Sequence, residues 1–178
     1  RGECDVETRL LGRFNVSNLL AVLAGLLSLD VSLPQAVRAL AFVQPVRGRM
    51  ECYSNGATTA VVDYAHTLDA LEKVLMTLRE HVQVRLYCVF GCGGDRDSGK
   101  RSLMGAIAAR LADKVIVTSD NPRSEDPQSI IANVLSGVAE SERNRVQVSV
   151  DRRAAIRLAL AEAAAGDLVL VAGMGHED

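Results

Sequence analysis

Tryptophan is absent from the 178-residue chain, and aromatic residues make up only 3% of it. A core must therefore be assembled from Leu, Val, Ile and Ala. Long apolar runs are also missing. The longest, Leu19 to Leu29, is interrupted by Gly25 and Ser28 and bounded by Asn18 and Asp30, far short of the ~20 residues that cross a bilayer; it reads as a buried helix. Basic residues number 20 against 22 acidic ones, for a net charge of −2, and no stripe of Lys and Arg is present to displace counterions from a phosphate backbone. Nucleic acid is thereby excluded as a partner. The four cysteines, Cys4, Cys52, Cys88 and Cys92, form no C-x-x-C pair, which argues against a zinc site or a disulfide framework and for a reducing cytoplasm. The first residues, Arg1-Gly2-Glu3-Cys4-Asp5, carry neither a starting Met nor a signal peptide and look like the middle of a strand, so the chain is expected to be a piece of a longer protein.

What is there is an ordinary globular composition, 48% hydrophobic and 24% charged, inconsistent with disorder or a coiled coil. From Asn15 to Leu29 apolar residues recur at helical spacing, and Pro34 opens a second helix that runs to about Phe42. Gln44-Pro45-Val46-Arg47-Gly48 has the composition of a linker, placed over residues 43–50. Beyond it, short β-branched runs alternate with helical periods. Strands are expected over Ala60–Asp63, Arg85–Phe90, Lys114–Thr118, Val146–Val150 and Leu168–Ala172, with helices over Leu68–Val82, Leu103–Leu111, Pro127–Ala139 and Arg152–Ala165. Strands apolar on both faces and joined by helices predict an α/β fold, a doubly wound parallel sheet.

The polar and glycine-rich segments each follow a strand: Asp63-Tyr64-Ala65-His66, Gly91 to Gly99, Asp120-Asn121-Pro122-Arg123, and Gly173 to Asp178. Parallel strands bring these ends to one edge, where open α/β sheets bind ligands. Gly91-Cys92-Gly93-Gly94 fails the dinucleotide pattern because Arg96 stands where Gly is required. Gly94 to Lys100 matches the phosphate-loop pattern, but Arg101 replaces the Ser or Thr that would hold magnesium. A glycine-rich turn remains that can bring backbone amides and the Arg96, Lys100 and Arg101 cations to an anion, or else is a tight turn with solvated charges. Asp63 and His66 can orient a ribose or share a proton, while Asp63 or Thr67 can equally cap a helix; His176 beside Glu177 is similarly ambiguous. His81, at a helix end, reads as solvated or paired with the helix dipole. His66 and His176 are too few for a metal centre. In Asp120-Asn121-Pro122-Arg123 a guanidinium that forks onto carboxylate lies beside an Asp that takes ammonium, suiting a ligand with both groups; an Asx turn with Arg123 in solvent has the same spacing.

Phe14-Asn15-Val16-Ser17-Asn18, Gly48-Arg49-Met50-Glu51, Asp63-Tyr64-Ala65-His66-Thr67, Gly91 to Arg101, Asp120 to Arg123 and Gly173 to Asp178 appear in this order in the Mur ligases, and over almost its whole length the chain resembles the branch that adds meso-diaminopimelate. The resemblance implies a Rossmann-like domain and a cytoplasmic, monomeric enzyme of peptidoglycan precursor synthesis. Its substrates would be ATP, meso-diaminopimelate and UDP-N-acetylmuramoyl-L-alanyl-D-glutamate. The D-glutamate carboxylate would be phosphorylated and the amine of diaminopimelate would attack the acyl phosphate. By the same resemblance Arg96, Asp120, Asn121, Pro122, Arg123, Gly173 and Glu177 bind diaminopimelate, and Asn15, Asn18, Arg49, Asp63 and His66 lie around ATP. The phosphate loop, the magnesium ligands and the modified lysine would lie outside this chain, leaving no catalytic residue or metal site within it and the piece inactive alone. Residues 1–42 would end a central ATPase domain and 51–178 form most of an amino-acid-binding domain. Leu68 stands where the family often has Pro, and Met174 where Lys is frequent. The alternatives are a stand-alone binding module, another nucleotide-dependent Rossmann-like enzyme, or a related ligase adding another amino acid.

Overall fold

The computed structural model describes residues 3–173, so Met174, His176 and Glu177 lie outside the described residues. The chain divides into two compact units, the first ending at Val46 and the second beginning at Arg47. No strand forms over residues 3–10, which are mostly exposed; the strand read there has no neighbour among the described residues to pair with its backbone groups.

The first unit consists of helices α1 (Arg13–Ser28) and α2 (Leu33–Ala41). Pro34 sits in the opening turn of α2, where its missing N–H costs nothing, and the Gln35 side-chain oxygen accepts from Ser32 Oγ at 2.7 Å. Helix α1 is not the buried helix its apolar run suggests. Only Leu19 is buried within it, while Leu20, Val22 and Leu27 are exposed, because two packed helices cover only one face of each other.

The second unit is a six-stranded sheet in the order β1-β2-β6-β3-β4-β5. Its strands are β1 (Glu51–Ser54), β2 (Thr59–Asp63), β3 (Leu86–Phe90), β4 (Lys114–Val117), β5 (Val146–Val148) and β6 (Leu168–Ala172). All neighbours are parallel except β1 and β2. The expected parallel strands are all present. The antiparallel β1 was not expected. It forms a hairpin with β2 across a four-residue loop in which the Asn55 carboxamide accepts from the amides of Ala57 and Thr58, an Asx turn, while Gly56 takes φ 88°.

From β2 the chain steps through α3 (Leu68–Arg79), α4 (Gly99–Leu111) and α5 (Pro127–Leu135) to successive strands in one direction. It then returns through α6 (Arg152–Glu162) to insert β6 between β2 and β3. Right-handed crossovers therefore put α3 to α5 on one face of the sheet and α6 on the other. On the α6 face, Tyr87, Val89, Ile116, Val169 and Val171 meet Ala155 and Ala159; the small alanines admit the helix close to the sheet, and the tyrosine supplies the volume that tryptophan would otherwise supply. Each residue of β3 and β6 is buried, as expected of strands covered on both sides.

Helix α4 starts at Gly99, a full turn before the expected Leu103. Its first turn is polar, Gly99-Lys100-Arg101-Ser102, and an apolar period cannot register it. Helices α3, α5 and α6 end before their apolar patterns do. The doubled-back order creates a switch point at the carboxyl ends of β2, β6 and β3, and the segments that begin at Asp63, Gly91 and Gly173 leave the sheet there, with residues 120–123 beside them after β4.

Candidate functional site

A cleft of about 400 Å³ opens at this edge, lined in part by Tyr64, His66, Cys92, Arg96, Asp120, Asn121, Arg123 and Gly173. Five positions expected to hold an amino acid, Arg96, Asp120, Asn121, Arg123 and Gly173, are thus brought from three strand ends into one cavity. Pro122 does not line it but sets the loop: its carbonyl lies so close to Gly94 that a Cβ at that glycine would collide with it. A Cβ at Gly91 would likewise meet the Thr118 carbonyl at 2.5 Å, so these glycines let the loops after β3 and β4 approach backbone to backbone. Gly173, at φ 81°, donates its N–H to the Asp63 carbonyl at 2.9 Å and keeps the chain beside Asp120.

Asp63 is not a helix cap. The residue is 7% exposed, and its carboxylate accepts from Met50 N at 2.9 Å and Ala65 N at 2.8 Å. Thr67 caps α3 by accepting from Ala70 N. The carboxylate thereby holds Met50 in a left-handed conformation, φ 49°, and latches residues 48–50, reinforced by Tyr64 N donating to the Gly48 carbonyl at 2.8 Å. Above it, His66 Nδ1 lies 2.9 Å from the Tyr64 carbonyl and its ring 4.7 Å from that of Tyr64, while the Arg49 guanidinium sits 4.9 Å over the same tyrosine. Arg49, Asp63 and His66 thus gather at the end of β2. Tyr64 is the organising residue of this group that sequence reasoning missed; its place between Asp63 and His66 was the available signal. Asn15 and Asn18 belong to the first unit, where Asn15 Nδ2 donates to the Leu11 carbonyl and Asn18 Nδ2 to Asn15 Oδ1.

The glycine-rich turn differs from a phosphate cradle. The amides of Gly94, Asp95 and Gly99 are engaged by the Asn121 carbonyl, Glu125 Oε1 and Asp97 Oδ1. Arg101 is not available to an anionic ligand either. Its side chain is 3% exposed and makes a two-pronged pair with Glu125, at 2.6 and 2.8 Å, which holds the Glu125 carboxyl down at about 2. Lys100 pairs with Asp97 at 3.4 Å on the surface. Lys100 and Arg101 also line the cleft, but Arg96 and Arg123, both exposed, are the cations there without an acidic partner among the described residues. Glu125, whose importance only the fold reveals, lies two residues beyond Arg123. Burial pushes the Cys92 thiol up to about 11, suiting it to a wall and not to nucleophilic attack. Among the described residues no group of three or more His, Cys, Asp and Glu side chains could hold a metal ion, and no helix is long and apolar enough to cross a membrane.

Cations, a carboxylate and an amide converge at the carboxyl edge of a doubly wound sheet, the place where α/β domains of this class bind small molecules. The chain belongs to the Mur ligase family: residues 48–175 match the Mur ligase glutamate ligase domain. It is 56% identical over 180 residues to the UDP-N-acetylmuramoyl-L-alanyl-D-glutamate--2,6-diaminopimelate ligase of Chromobacterium violaceum, covering 99% of this chain and 36% of that protein. The ligase of the same name from Acidovorax sp. (strain JS42) is 55% identical over 177 residues, covering 97% of this chain and 35% of that protein. A solved structure of a ligase of this name superposes with a TM-score of 0.76 at 47% identity, over 97% of this chain and 35% of that one. The chain spans about a third of the length of these curated relatives.

Proposed function

We propose that the chain supplies the amino-acid-binding part of an ATP-dependent ligase that joins meso-diaminopimelate to the D-glutamate carboxyl of UDP-N-acetylmuramoyl-L-alanyl-D-glutamate, in the cytoplasm and as a monomer. The observation that carries this reading is the convergence of Arg96, Asp120, Asn121, Arg123 and Gly173 on one cleft. Meso-diaminopimelate carries two carboxylates and two ammonium groups. Arg123 and Arg96 offer forks to carboxylate, Asn121 adds a donor, and Asp120 accepts from ammonium. Glu177 is a further acceptor in this reading. Held at one end, the amino acid presents its other amine towards the acyl donor. ATP supplies the phosphoryl group that activates the D-glutamate carboxylate; attack by the amine on that carbonyl forms the amide, expels phosphate and releases a proton.

Arg49, Asp63 and His66 suit the edge of a nucleotide: an exposed cation, an imidazole and a buried carboxylate that orders both. Asn15 and Asn18, on α1 of the first unit, are further candidates for the nucleotide in this reading. In this reading residues 1–42 end a central ATPase domain, 43–50 link it, and 51–178 bind the amino acid.

The test is a coupled assay on the full-length protein with ATP, magnesium, the UDP-muramoyl dipeptide and meso-diaminopimelate. Phosphate release should require every component and should match amide formed. Release independent of diaminopimelate, or equal with lysine, would contradict the reading.

A further inference from the structure

The walls that present Arg96 and Arg123 are two loops, residues 91–98 and 118–126, and one continuous set of contacts ties them together through Arg101, a buried residue of the cleft lining. Arg101 on α4 donates Nη1 to Glu125 Oε2 at 2.8 Å and Nη2 to Glu125 Oε1 at 2.6 Å, and Nη2 also reaches the Gly93 carbonyl at 3.2 Å. Glu125 Oε1 accepts in addition from Asp95 N at 2.6 Å. Asp95 Oδ1 then accepts from Ser124 Oγ at 2.7 Å, and Gly94 N donates to the Asn121 carbonyl at 2.8 Å. Asp95 and Arg123 both stand in the left-handed region, φ 52° and 51°. Non-glycine residues persist there only where their surroundings hold them, and here the contacts fall on Asp95 itself and on the two residues after Arg123.

From this geometry we infer that Arg101 and Glu125 are positioning residues that determine amino-acid specificity without binding the amino acid. Arg96 follows Asp95 and Arg123 precedes Ser124, so the pair fixes the spacing and direction of both cationic forks at once. The inference rests on the proposed function, since it specifies how that cleft is tuned. A bidentate fork is sensitive to direction as well as distance, so loosening the pair should weaken recognition of the far carboxylate first. Arg49, Asp63 and His66 are ordered by their own contacts at the end of β2 and should be little affected.

The experiment uses the full-length ligase, with the wild type assayed first. If the wild type does not couple diaminopimelate to phosphate release, the proposed function and this inference fall together. If it does, Glu125→Gln, which keeps the shape but not the charge, should raise the KM for diaminopimelate about 10-fold or more while the KM values for ATP and the UDP-dipeptide stay within about twofold. The ratio of efficiencies for diaminopimelate over lysine should fall with it. Arg101→Met combined with Glu125→Gln should add little to the worse single change, because both break one pair. Should Glu125→Gln fail to fold, Ser124→Ala at an exposed position removes only the hydroxyl bond to Asp95 Oδ1 and should still raise the KM for diaminopimelate alone. Unchanged constants in folded variants, or all three KM values rising together, would overturn the inference.

Discussion

At the scale of single residues, the proposed function gives Arg123 the task of separating diaminopimelate from lysine, which lacks the second carboxylate. A site built around a fork left unpaired by the wrong substrate discriminates strongly. Losing one partner of a desolvated charged pair costs ~2 kcal/mol or more, so Arg123→Ala in the full-length enzyme should lower kcat/KM for diaminopimelate by roughly 30-fold or more and for lysine much less. The measurement is the ratio of the two efficiencies; an unchanged ratio would place specificity elsewhere on the sheet edge. Asp63 acts differently, through the two buried amides it accepts from. Each N–H deprived of its acceptor costs about 1–3 kcal/mol, so Asp63→Ala should lower the melting temperature and raise the KM for ATP together. A loss of ATP affinity at unchanged Tm would mean that the carboxylate meets the nucleotide directly. Cys88 and Cys92, held by burial at about 12 and about 11, should be alkylated at pH 8 far more slowly than the exposed Cys4 and Cys52, as peptide mapping would reveal.

At the scale of elements, the paired loops after β3 and β4 have an acid-labile joint. Glu125 is held at about 2, first by its hydrogen bonds from Arg101 and then by the Asp95 amide, against an ordinary 4.5. A depressed carboxyl contributes stability in full above its unfolded value and loses it as the pH falls. That contribution should therefore be complete above about pH 4.5 and disappear towards pH 2. Glu125→Gln should flatten the dependence of unfolding on pH in this window, and equal slopes would contradict the assignment. The strands and their order of appearance were legible because apolar runs bounded by turn residues register burial on both faces. The edge where the cleft opens followed from the same pattern. What escaped was the hairpin strand β1, since an edge strand with half-polar faces carries little periodicity, although Asn55-Gly56 marked its turn. Also illegible was the difference between a cation for the ligand and a cation for the fold. Arg96 and Arg101 are alike in sequence, but only the arrangement of α4 against the loop after β4 reveals that Arg101 already has Glu125.

At the scale of the molecule, the chain forms two compact units, and the second carries the cleft. Triphosphate binding calls for a cradle of free backbone amides, and in the glycine-rich turn here those of Gly94, Asp95 and Gly99 are already engaged. The 178-residue chain by itself should therefore neither hydrolyse ATP nor form amide bonds, and magnesium-dependent turnover by the pure chain would contradict this. The central claim is that the cleft at the carboxyl ends of β2, β6, β3 and β4 takes meso-diaminopimelate. The most direct measurement is a crystal structure of the full-length protein soaked with that amino acid. The account predicts density in the cleft with one carboxylate against Arg123 and an ammonium against Asp120; an empty cleft, with diaminopimelate bound at another edge of the sheet, would contradict it.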